Sequence, residues 1–481
     1  MSIPANRHHS RKRSATIFFI AASRPRGNLF LPTDGPMKAT TFPILLLMAL
    51  PSLAATNWPQ FRGPNASGVD TNGAAPIHWS VDSGENILWR TPIPGLGHSS
   101  PIVWEDHLYI TTAVRPGKAP LKVGLYGDID SADDQESQEW RLISVNRTSG
   151  KIDWDKLGYK GVPRVKRHTK STHCNTTPST DGQRIVAIFG SEGLFCFDME
   201  GNLLWKKDLG PMDSGYYQVP SAQWGFASSP VIHDGKVVVV CDVQKDSFVA
   251  VFDLKDGHQL WKTPRKDVPG WGSPTIATTA TETQILVNGW HHIGAYDFAN
   301  GKEIWKLNGG GDIPVPTPII GDGLAYFTSG HGNSRPMRAI RLTARGDITP
   351  KEIGGTNAGI AWAHPRQGCY MQTPLLTGGS VYGCLDNGVL SCFDASTGKL
   401  AYNQRIGNGS EGFTASPVSD GQHLYFTSEG GTVYILPTNA KFELTATNSV
   451  GETCMASPAI LDGTLYYRTT EHLTAIGEKV K

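Results

Sequence analysis

The sequence of 481 residues predicts an all-β protein, an eight-bladed β-propeller whose blades are four-stranded antiparallel sheets. Eight repeats align on a Ser-Pro or Thr-Pro pair, with prolines at positions 101, 178, 230, 274, 318, 374, 417 and 458. The most closely spaced copies lie 41 to 44 residues apart, a period typical of propellers and solenoids. No long stretch of helical periodicity follows the N-terminal region, so the repeats are expected to consist of strands.

Each repeat predicts four strands in a fixed order. The first strand begins at the Ser/Thr-Pro pair and ends at a turn that is often Asp-Gly, as at Asp234-Gly235. Asp and Gly tolerate left-handed dihedrals, so such turns can be tight. The second strand is an apolar or alternating run such as KVVVV at 236–240, and the third ends in an aromatic residue and Asp, as at 196–198. A second Gly turn then leads into a fourth strand.

The fourth strand carries a Trp that lies four residues after a Gly. The pairs are Gly150/Trp154, Gly201/Trp205, Gly257/Trp261 and Gly301/Trp305, with Tyr in the pair Gly398/Tyr402. A large aromatic residue at one position of every repeat is expected to pack between blades rather than to hold a cofactor. Truncating such a buried Trp to Ala typically costs about 3–5 kcal/mol.

The two ends of the repeat region predict how the ring closes. The eighth repeat, residues 456–477, stops after its third strand and has no Trp strand. The segment NILWRTPIP at 86–94 supplies an unassigned strand with Trp89. We therefore expect the N-terminal Trp89 strand to complete the last blade, which leaves no long exposed sheet edge.

The first 54 residues predict export. Residues 37–54 contain one Lys, an apolar run and Ser52-Leu53-Ala54, the pattern of a secretory signal peptide. Residues 1–36 are rich in Arg, His and Ser and are interpreted as an upstream extension or a long leader, so that translation starts at Met37 or at Met1. A single propeller is then expected over residues 55–481.

We expect the mature chain to lie in the periplasm or outside the cell, as a monomer. The apolar run of the leader is too short to span a bilayer, and no Cys precedes Cys174 to carry a lipid anchor. A net charge of +1 with 18% charged residues argues against nucleic-acid binding. Cys384 and Cys392 fall on consecutive strands of one predicted hairpin, so a disulfide between them depends on the register and stays open.

The motif Asp-x-x-x-Gly-x-x-x-Trp together with the Ser-Pro strands resembles the PQQ-like (pyrroloquinoline-quinone-type) propeller repeat. This repeat occurs in quinoprotein alcohol dehydrogenases and in the BamB-type propellers of outer-membrane assembly. The resemblance covers residues 57–477, including NWPQFRGP at 57–64. It implies an exported PQQ-like propeller, and the dehydrogenases add PQQ with calcium as an implied cofactor pair.

Loop length distinguishes the two rims of the predicted propeller. Neighbouring strands of a blade run in opposite directions. The turns between strands one and two and between strands three and four (one–two and three–four turns) therefore lie on one rim. The loops between strands two and three (two–three loops) and from strand four to strand one of the next blade (four–one loops) lie on the other. Nearly all long segments fall on the second rim, which we call the irregular rim: 113–139 and 330–336 as two–three loops, and 155–175, 206–226 and 262–272 as four–one loops. The exception is 343–359. We expect the irregular rim to carry the function.

Residues that precede each Ser/Thr-Pro pair are expected to ring an axial funnel on this rim. They form an aromatic-rich set that could bind a cofactor or another ligand, or simply brace the channel. The candidate binding residues are His98, His173, Trp224, Phe226, Trp271, Tyr370, Gln372, Phe413 and Met455. No catalytic residue can be assigned, because no Ser-His-Asp order or nucleophile motif occurs.

The same rim carries further candidate polar residues, on its two–three loops: His291, His292, His331, Glu192, Glu429 and Glu471. Because they lack the spacing of metal ligands, no metal site is predicted from them. The acidic stretch 128–136 could offer oxygens to Ca²⁺, but it lacks the ordered spacing and the Gly of a calcium loop, so a solvated acidic loop is expected.

Two functions follow from these patterns. The first is a noncatalytic binding module that holds a protein, glycan or small-molecule ligand in its funnel and on its irregular rim. The alternative is a quinone- and calcium-dependent dehydrogenase, in which Trp224 or Trp271 stacks on the quinone. The sequence departs from those enzymes, because it has no adjacent cysteines, no CxxCH haem site and no large insertions between blades.

Overall fold

The computed structural model describes residues 57–117, 119–124, 129–331 and 334–479. The predicted extension 1–36 and signal peptide 37–54 lie outside the described residues. The described chain is almost entirely β-structure, with two short 3-10 helices at Pro64–Ala66 and Gly190–Glu192. No helix in this part of the chain has the length and apolar character needed to cross a bilayer.

The first half of the chain forms the strands β1 (Ile87–Pro92), β2 (Ile102–Trp104), β3 (His107–Val114), β4 (Gln138–Asn146), β5 (Ile152–Gly161), β6 (Ser179–Thr180), β7 (Arg184–Ile188), β8 (Leu194–Asp198), β9 (Leu203–Lys207), β10 (Val231–His233), β11 (Lys236–Cys241), β12 (Phe248–Asp253), β13 (Gln259–Pro264), β14 (Thr275–Thr278), β15 (Thr283–Val287), β16 (Ile293–Asp297) and β17 (Glu303–Leu307). The second half forms β18 (Ile319–Gly321), β19 (Leu324–Thr328), β20 (Met337–Arg341), β21 (Gly346–Asp347), β22 (Ile360–His364), β23 (Leu375–Thr377), β24 (Ser380–Cys384), β25 (Val389–Asp394), β26 (Leu400–Arg405), β27 (Val418–Ser419), β28 (His423–Thr427), β29 (Thr432–Pro437), β30 (Ala446–Ser449), β31 (Ala459–Leu461), β32 (Thr464–Arg468) and β33 (His472–Ile476).

These strands make eight antiparallel blades, which confirms the predicted eight-bladed propeller. Blades 1 to 4 are β2–β5, β6–β9, β10–β13 and β14–β17; blade 5 is β18, β19, β20 and β22; blades 6 and 7 are β23–β26 and β27–β30. Blade 8 consists of β31, β32, β33 and β1. Its last pair sets Trp89 opposite Ala475, so the N-terminal strand closes the ring as predicted.

The Ser/Thr-Pro motif forms a ring of hydrogen bonds around the axis. The backbone N–H of the residue before seven of the eight prolines donates to the hydroxyl of its counterpart in the next blade, at 2.8–3.1 Å, from Ser100 round to Ser457. The members are Ser100, Thr177, Ser229, Ser273, Thr317, Thr373, Ser416 and Ser457. Proline holds the preceding residue in an extended conformation, which fits a strand that starts beside the axis. The motif therefore links neighbouring blades.

The Gly of each Gly/Trp pair packs against the Trp of the preceding blade, not against the Trp of its own strand. A Cβ on Gly257 would lie 2.7 Å from Cε3 of Trp205, and one on Gly398 would lie 2.6 Å from Cδ2 of Trp362. Both glycines have a positive φ, near 70°, which favours glycine on its own account. The Trp362 indole also donates to the carbonyl of Ala395 at 2.9 Å. The signature is thus a contact between blades.

One expected loop boundary is corrected, and the open question of a disulfide in blade 6 is answered. β5 continues to Gly161, so the loop predicted at 155–175 begins only at residue 162. In blade 6, Cys392 lies opposite Tyr382 and Cys384 lies opposite Leu390, so the two cysteines do not face each other across the hairpin. All seven cysteines are buried free thiols. The segment 343–359 contributes β21, which pairs in parallel with β17 of the neighbouring blade.

Residues 58–70 cross the regular rim beneath the axis. Trp58 exchanges backbone hydrogen bonds with Val103 of blade 1, each 2.8 Å long. The buried Arg62 donates to the carbonyl of Pro417 at 2.7 Å and to that of Pro374 at 3.0 Å. Because one arginine connects blades 6 and 7 from below, this segment closes the bottom of the axial channel.

Candidate functional site

A cavity of about 570 Å³ opens around the axis on the irregular rim, and we call it the funnel. Hydroxyl-bearing residues of the Ser/Thr ring line its lower wall, and Phe61 of the N-terminal segment reaches it from below. Four–one loops and two–three loops supply the upper walls. The volume lies within the range of about 300–1,000 Å³ that is usual for ligand sites.

One wall of the funnel is aromatic. The rings of Tyr216 and Trp224 stack at 7° with centroids 5.3 Å apart, and Trp224 meets Trp271 at 5.6 Å. Both indole N–H groups are already used, by the carbonyls of Ile129 and Gly225, at 2.9 Å each. The half-buried rings therefore offer a ligand the ring surface that their neighbours leave uncovered, rather than their N–H donors.

Loop contacts fix the position of Trp224. The side-chain amide of Gln223 accepts from the N–H of Lys166 at 2.8 Å and donates to Asp213 at 3.1 Å. The carbonyl of Trp224 accepts from the N–H of His168 at 3.0 Å. Because these bonds join the four–one loops of blades 1 and 2, the aromatic wall is held without ligand.

The aromatic contacts continue from the funnel across the rim. Tyr216 meets Tyr217 at 5.2 Å, Tyr217 meets Trp290 at 5.0 Å, and Trp290 stacks on His291 at 3.9 Å. Together with Trp224 and Trp271 these residues form a row of six aromatic rings, which we call the aromatic row.

Buried charged residues support the outer end of the aromatic row. The carboxylate of Asp267 accepts from the N–H groups of Trp290, His291 and His292, at 2.9–3.0 Å. Arg265, which pairs with Asp242 at 2.8 Å, lies 3.8 Å from Asp267. The loop that presents Trp290 is therefore rigidly supported.

The opposite wall of the funnel is charged. Lys170 Nζ lies 2.7 Å from Oε1 of Glu429, which also accepts from the hydroxyl of Thr414 at 2.6 Å. Burial raises the pKa of Asp386, while the nearby Arg335 opposes that shift. The funnel thus sets ionised and hydrogen-bonding groups across from flat apolar rings.

Histidines also line the funnel. His98 Nε2 lies 3.0 Å from the carbonyl oxygen of Lys170, and burial lowers the pKa of His98 to about 4. It is therefore neutral at neutral pH. His331 Nδ1 lies 2.8 Å from Asp312, and its ring faces Tyr370 at 5.4 Å.

The structure brings together five of the nine candidate residues from the sequence. His98, Trp224, Trp271, Tyr370 and Met455 line the funnel. The other four are buried elsewhere.

The excluded four candidates have other packing partners. His173 Nε2 lies 2.8 Å from Asp134, and Phe226 belongs to the apolar core between blades 2 and 3. Gln372 donates to the carbonyl of Ala415 at 2.6 Å, and Phe413 packs against Tyr434 at 5.9 Å. Each of these residues lies just before a Ser/Thr-Pro pair, but its side chain turns between the blades.

Several lining residues were not singled out from the sequence. Lys170 and Tyr216 come from four–one loops that the sequence did place on this rim, and Asp386 and Arg335 come from two–three loops. A survey of all charged and aromatic residues in these loops would have included them.

Of the candidate polar residues, His331 and Glu429 line the funnel. Glu192 is buried and accepts from the N–H of Arg164 at 3.0 Å, and His292 lies 2.5 Å from Glu303. His291 ends the aromatic row. The remaining member, Glu471, does not line the funnel.

The acidic stretch 128–136 contains a structural carboxylate rather than only solvated ones. Asp134 is buried and lies 2.6 Å from Nη2 of Arg167 and 2.8 Å from His173. It therefore anchors its loop to the neighbouring four–one loop, which corrects the expectation of a wholly solvated segment.

The funnel residues fit a planar group better than a calcium ion. Ca²⁺ takes six to eight oxygen ligands, but Glu429 is bound to Lys170, and Asp386 lies near Arg335. In the described part of the chain, the residues with the spacing of a metal site are Asp253, Asp256 and His258, which lie on a three–four turn away from the funnel. The aromatic wall instead offers apolar ring surface, on which a planar group can stack.

Comparison with known proteins identifies the family. The model of the family "Outer membrane protein assembly factor BamB" matches residues 141–404, more than half of the chain. No curated protein matches.

Three solved structures share the fold at low sequence identity. BamB from Moraxella catarrhalis aligns with a TM-score of 0.52 and 15% identity over 76% of this chain and 98% of its own. A europium-containing methanol dehydrogenase aligns with a TM-score of 0.57 and 10% identity over 86% of this chain and 89% of its own. The quinohemoprotein alcohol dehydrogenase from Comamonas testosteroni aligns with a TM-score of 0.55 and 12% identity over 89% of this chain and 81% of its own. The chain therefore belongs to the PQQ-like β-propeller family of the BamB assembly factor.

Proposed function

We propose that the protein is an exported binding module whose funnel holds a ligand with a flat apolar face and a polar edge. One observation carries the proposal: a single cavity of about 570 Å³ sets the stacked rings of Tyr216 and Trp224 opposite the pair of Lys170 and Glu429. Export rests on the signal-peptide pattern at 37–54.

The two walls divide the work of binding. Trp224 and Trp271 present ring faces whose N–H groups are already satisfied, so a flat ligand can stack without leaving a donor unpaired. Lys170, Glu429 and Asp386 then face the polar edge of the ligand and fix its orientation. Such a division is usual in sites that are mostly apolar with a few well-placed polar groups.

The aromatic row favours an elongated ligand over a compact one. It extends the stacking surface from Trp271 inside the funnel to His291 on the outer rim, and Asp267 holds its outer end in place. Glycan chains present repeated flat faces, and proline-rich peptides dock in aromatic-lined grooves. We therefore favour a glycan or a peptide segment that enters the funnel by one end.

Tryptophan fluorescence can test this function directly. The mature protein is titrated with a panel of neutral oligosaccharides and with a proline-rich peptide, and binding is followed by the emission of Trp224 and Trp271 and by calorimetry. We expect saturable binding of at least one probe, which the double variant Trp224→Ala/Trp271→Ala loses. Trp261→Phe, between blades 3 and 4, serves as the matched control and should bind as the wild type does. Equal binding by the double variant would contradict the proposal.

A quinone-dependent dehydrogenase is the second candidate, favoured only by the flat indole faces in the funnel. PQQ and Ca²⁺ are added to the purified protein, which is then desalted and examined by absorbance and by dye-linked oxidation of alcohols. Retained quinone with alcohol oxidation would establish the enzyme, and loss of the quinone on desalting would exclude it. Because Glu429 and Asp386 lie beside cations, we expect no calcium-dependent retention.

A further inference from the structure

Arg468, the last residue of β32, is 1% exposed, and among the described residues its Nε, Nη1 and Nη2 atoms have no hydrogen-bond partner. A guanidinium has five N–H donors and remains charged at neutral pH. Burying such a group without a partner is strongly unfavourable. Satisfying it therefore requires a group that the described residues do not provide.

Other buried arginines in this chain do have partners. Arg167 pairs with Asp134 at 2.6 Å, and Arg265 pairs with Asp242 at 2.8 Å. Arg62 has no carboxylate but donates to four carbonyls. Arg468 is thus an exception to the way this protein accommodates buried guanidinium groups.

The position of Arg468 in the blade shows which way its side chain points. Continuing the β31–β32 register places it opposite Ser457 of the hydroxyl ring. The same position in blades 1 to 7 holds Thr111, Ile188, Val240, Asn288, Thr328, Cys384 and Thr427.

Four of these equivalents are polar and bond to the next blade. The hydroxyl of Thr328 accepts from the N–H of Cys369 at 2.7 Å, and that of Thr427 donates to the hydroxyl of Tyr467 at 3.4 Å. Asn288 donates to the carbonyls of Pro316 and Thr328 at 2.8 Å each, and Thr111 donates to the carbonyl of Thr176 at 3.3 Å. By the same geometry Arg468 is directed from blade 8 toward blade 1, where the ring closes.

The groups around Arg468 are neutral or already occupied. Burial raises the pKa of Cys454 to about 12 and that of Cys174 further still, so both neighbouring thiols stay protonated. His98 is neutral at neutral pH. Glu452 is close enough to act on Arg468, but its carboxylate is bound to Arg90 and to the hydroxyl of Thr469.

We propose that Arg468 binds a small monovalent inorganic anion, such as chloride, between blades 8 and 1. One uncompensated guanidinium calls for one negative charge, and its complete burial favours a small ion. His98 and Ser457 line the funnel beside this site, so the ion enters through the funnel wall. The ion acts as a structural component of the closing seam, separate from the ligand of the funnel.

Thermal unfolding in halide-free and halide-containing buffers tests the site. The folded wild-type protein, in sodium gluconate at constant ionic strength, receives increasing sodium bromide. We expect Tm to rise by about 2–4 °C with saturation, because only the folded state binds the ion. Arg468→Met should remove this dependence, and Arg62→Met, which changes a buried arginine already satisfied by carbonyls, should retain it.

Crystals of the wild-type protein grown with bromide give an independent readout that does not depend on a variant folding. An anomalous peak in hydrogen-bond contact with the Arg468 guanidinium is the expected result. Absence of that peak together with an unchanged Tm would overturn the proposal, and so would a bromide effect that persists in Arg468→Met.

Discussion

On the regular rim, glycines such as Gly257 and Gly398 repeat one contact with the Trp of the preceding blade, whereas the loops of the irregular rim are held by contacts that differ from blade to blade. Gln223 ties one loop, Asp134 another and Asp267 a third. A contact that recurs in every blade joins equivalent blades, so it can stabilise the ring but cannot discriminate between ligands. Loop contacts that occur only once each fix the shape of one loop, and the funnel and the aromatic row are built from such loops.

The largest effect is expected on stability, when a Trp that makes the repeated contact between blades is replaced. Trp362→Ala removes a buried indole, its hydrogen bond to Ala395 and its packing against Gly398, so the free energy of unfolding should fall by about 3–5 kcal/mol. Trp224→Ala, on the funnel wall, is the matched comparison and should cost much less. Urea denaturation of both variants measures the difference; equal losses would break the distinction between the two regions.

A smaller loss of stability is expected from the hydroxyl ring. Thr177→Val keeps the side-chain shape but leaves the buried N–H of Ser100 without an acceptor, at a cost of about 1–3 kcal/mol. Thr177→Ser retains the hydroxyl and should stay close to the wild type. If Thr177→Val unfolds at the wild-type urea midpoint, the ring contributes little to holding blades together.

The smallest effect is a pH dependence from the funnel. The pKa of His98 falls from 6.5 in the unfolded chain to about 4 in the folded protein, because burial disfavours the charged ring. The stability from neutral His98 is complete above about pH 6.5 and is lost as the pH drops toward 4, by about 1–2 kcal/mol since the ring borders the open funnel. His98→Asn should show a shallower decline between these pH values. An identical decline would mean that other groups dominate.

The repeats made the fold predictable, since Ser/Thr-Pro and Gly/Trp each recur at one structural position. The funnel was only partly predictable, because the loops that shape it depend on contacts made once. His173 occupies the expected place before a Thr-Pro pair, yet Asp134 from a distant insertion draws its imidazole away from the axis. Lys170 lines the funnel, where it forms an ion pair with Glu429 of blade 7. The repeat carries no information about such pairs.

Closure of blade 8 by β1 has a consequence for folding. β33 offers an unpaired edge until β1, from the other end of the propeller, docks on it, and this is among the contacts with the greatest sequence separation in the chain. During that interval the β1 of a second molecule can occupy the same edge. Two chains that exchange this strand would make a domain-swapped dimer in which the pairing of β1 with β33 is preserved. Protein concentration during refolding should therefore decide between closed monomers and swapped pairs.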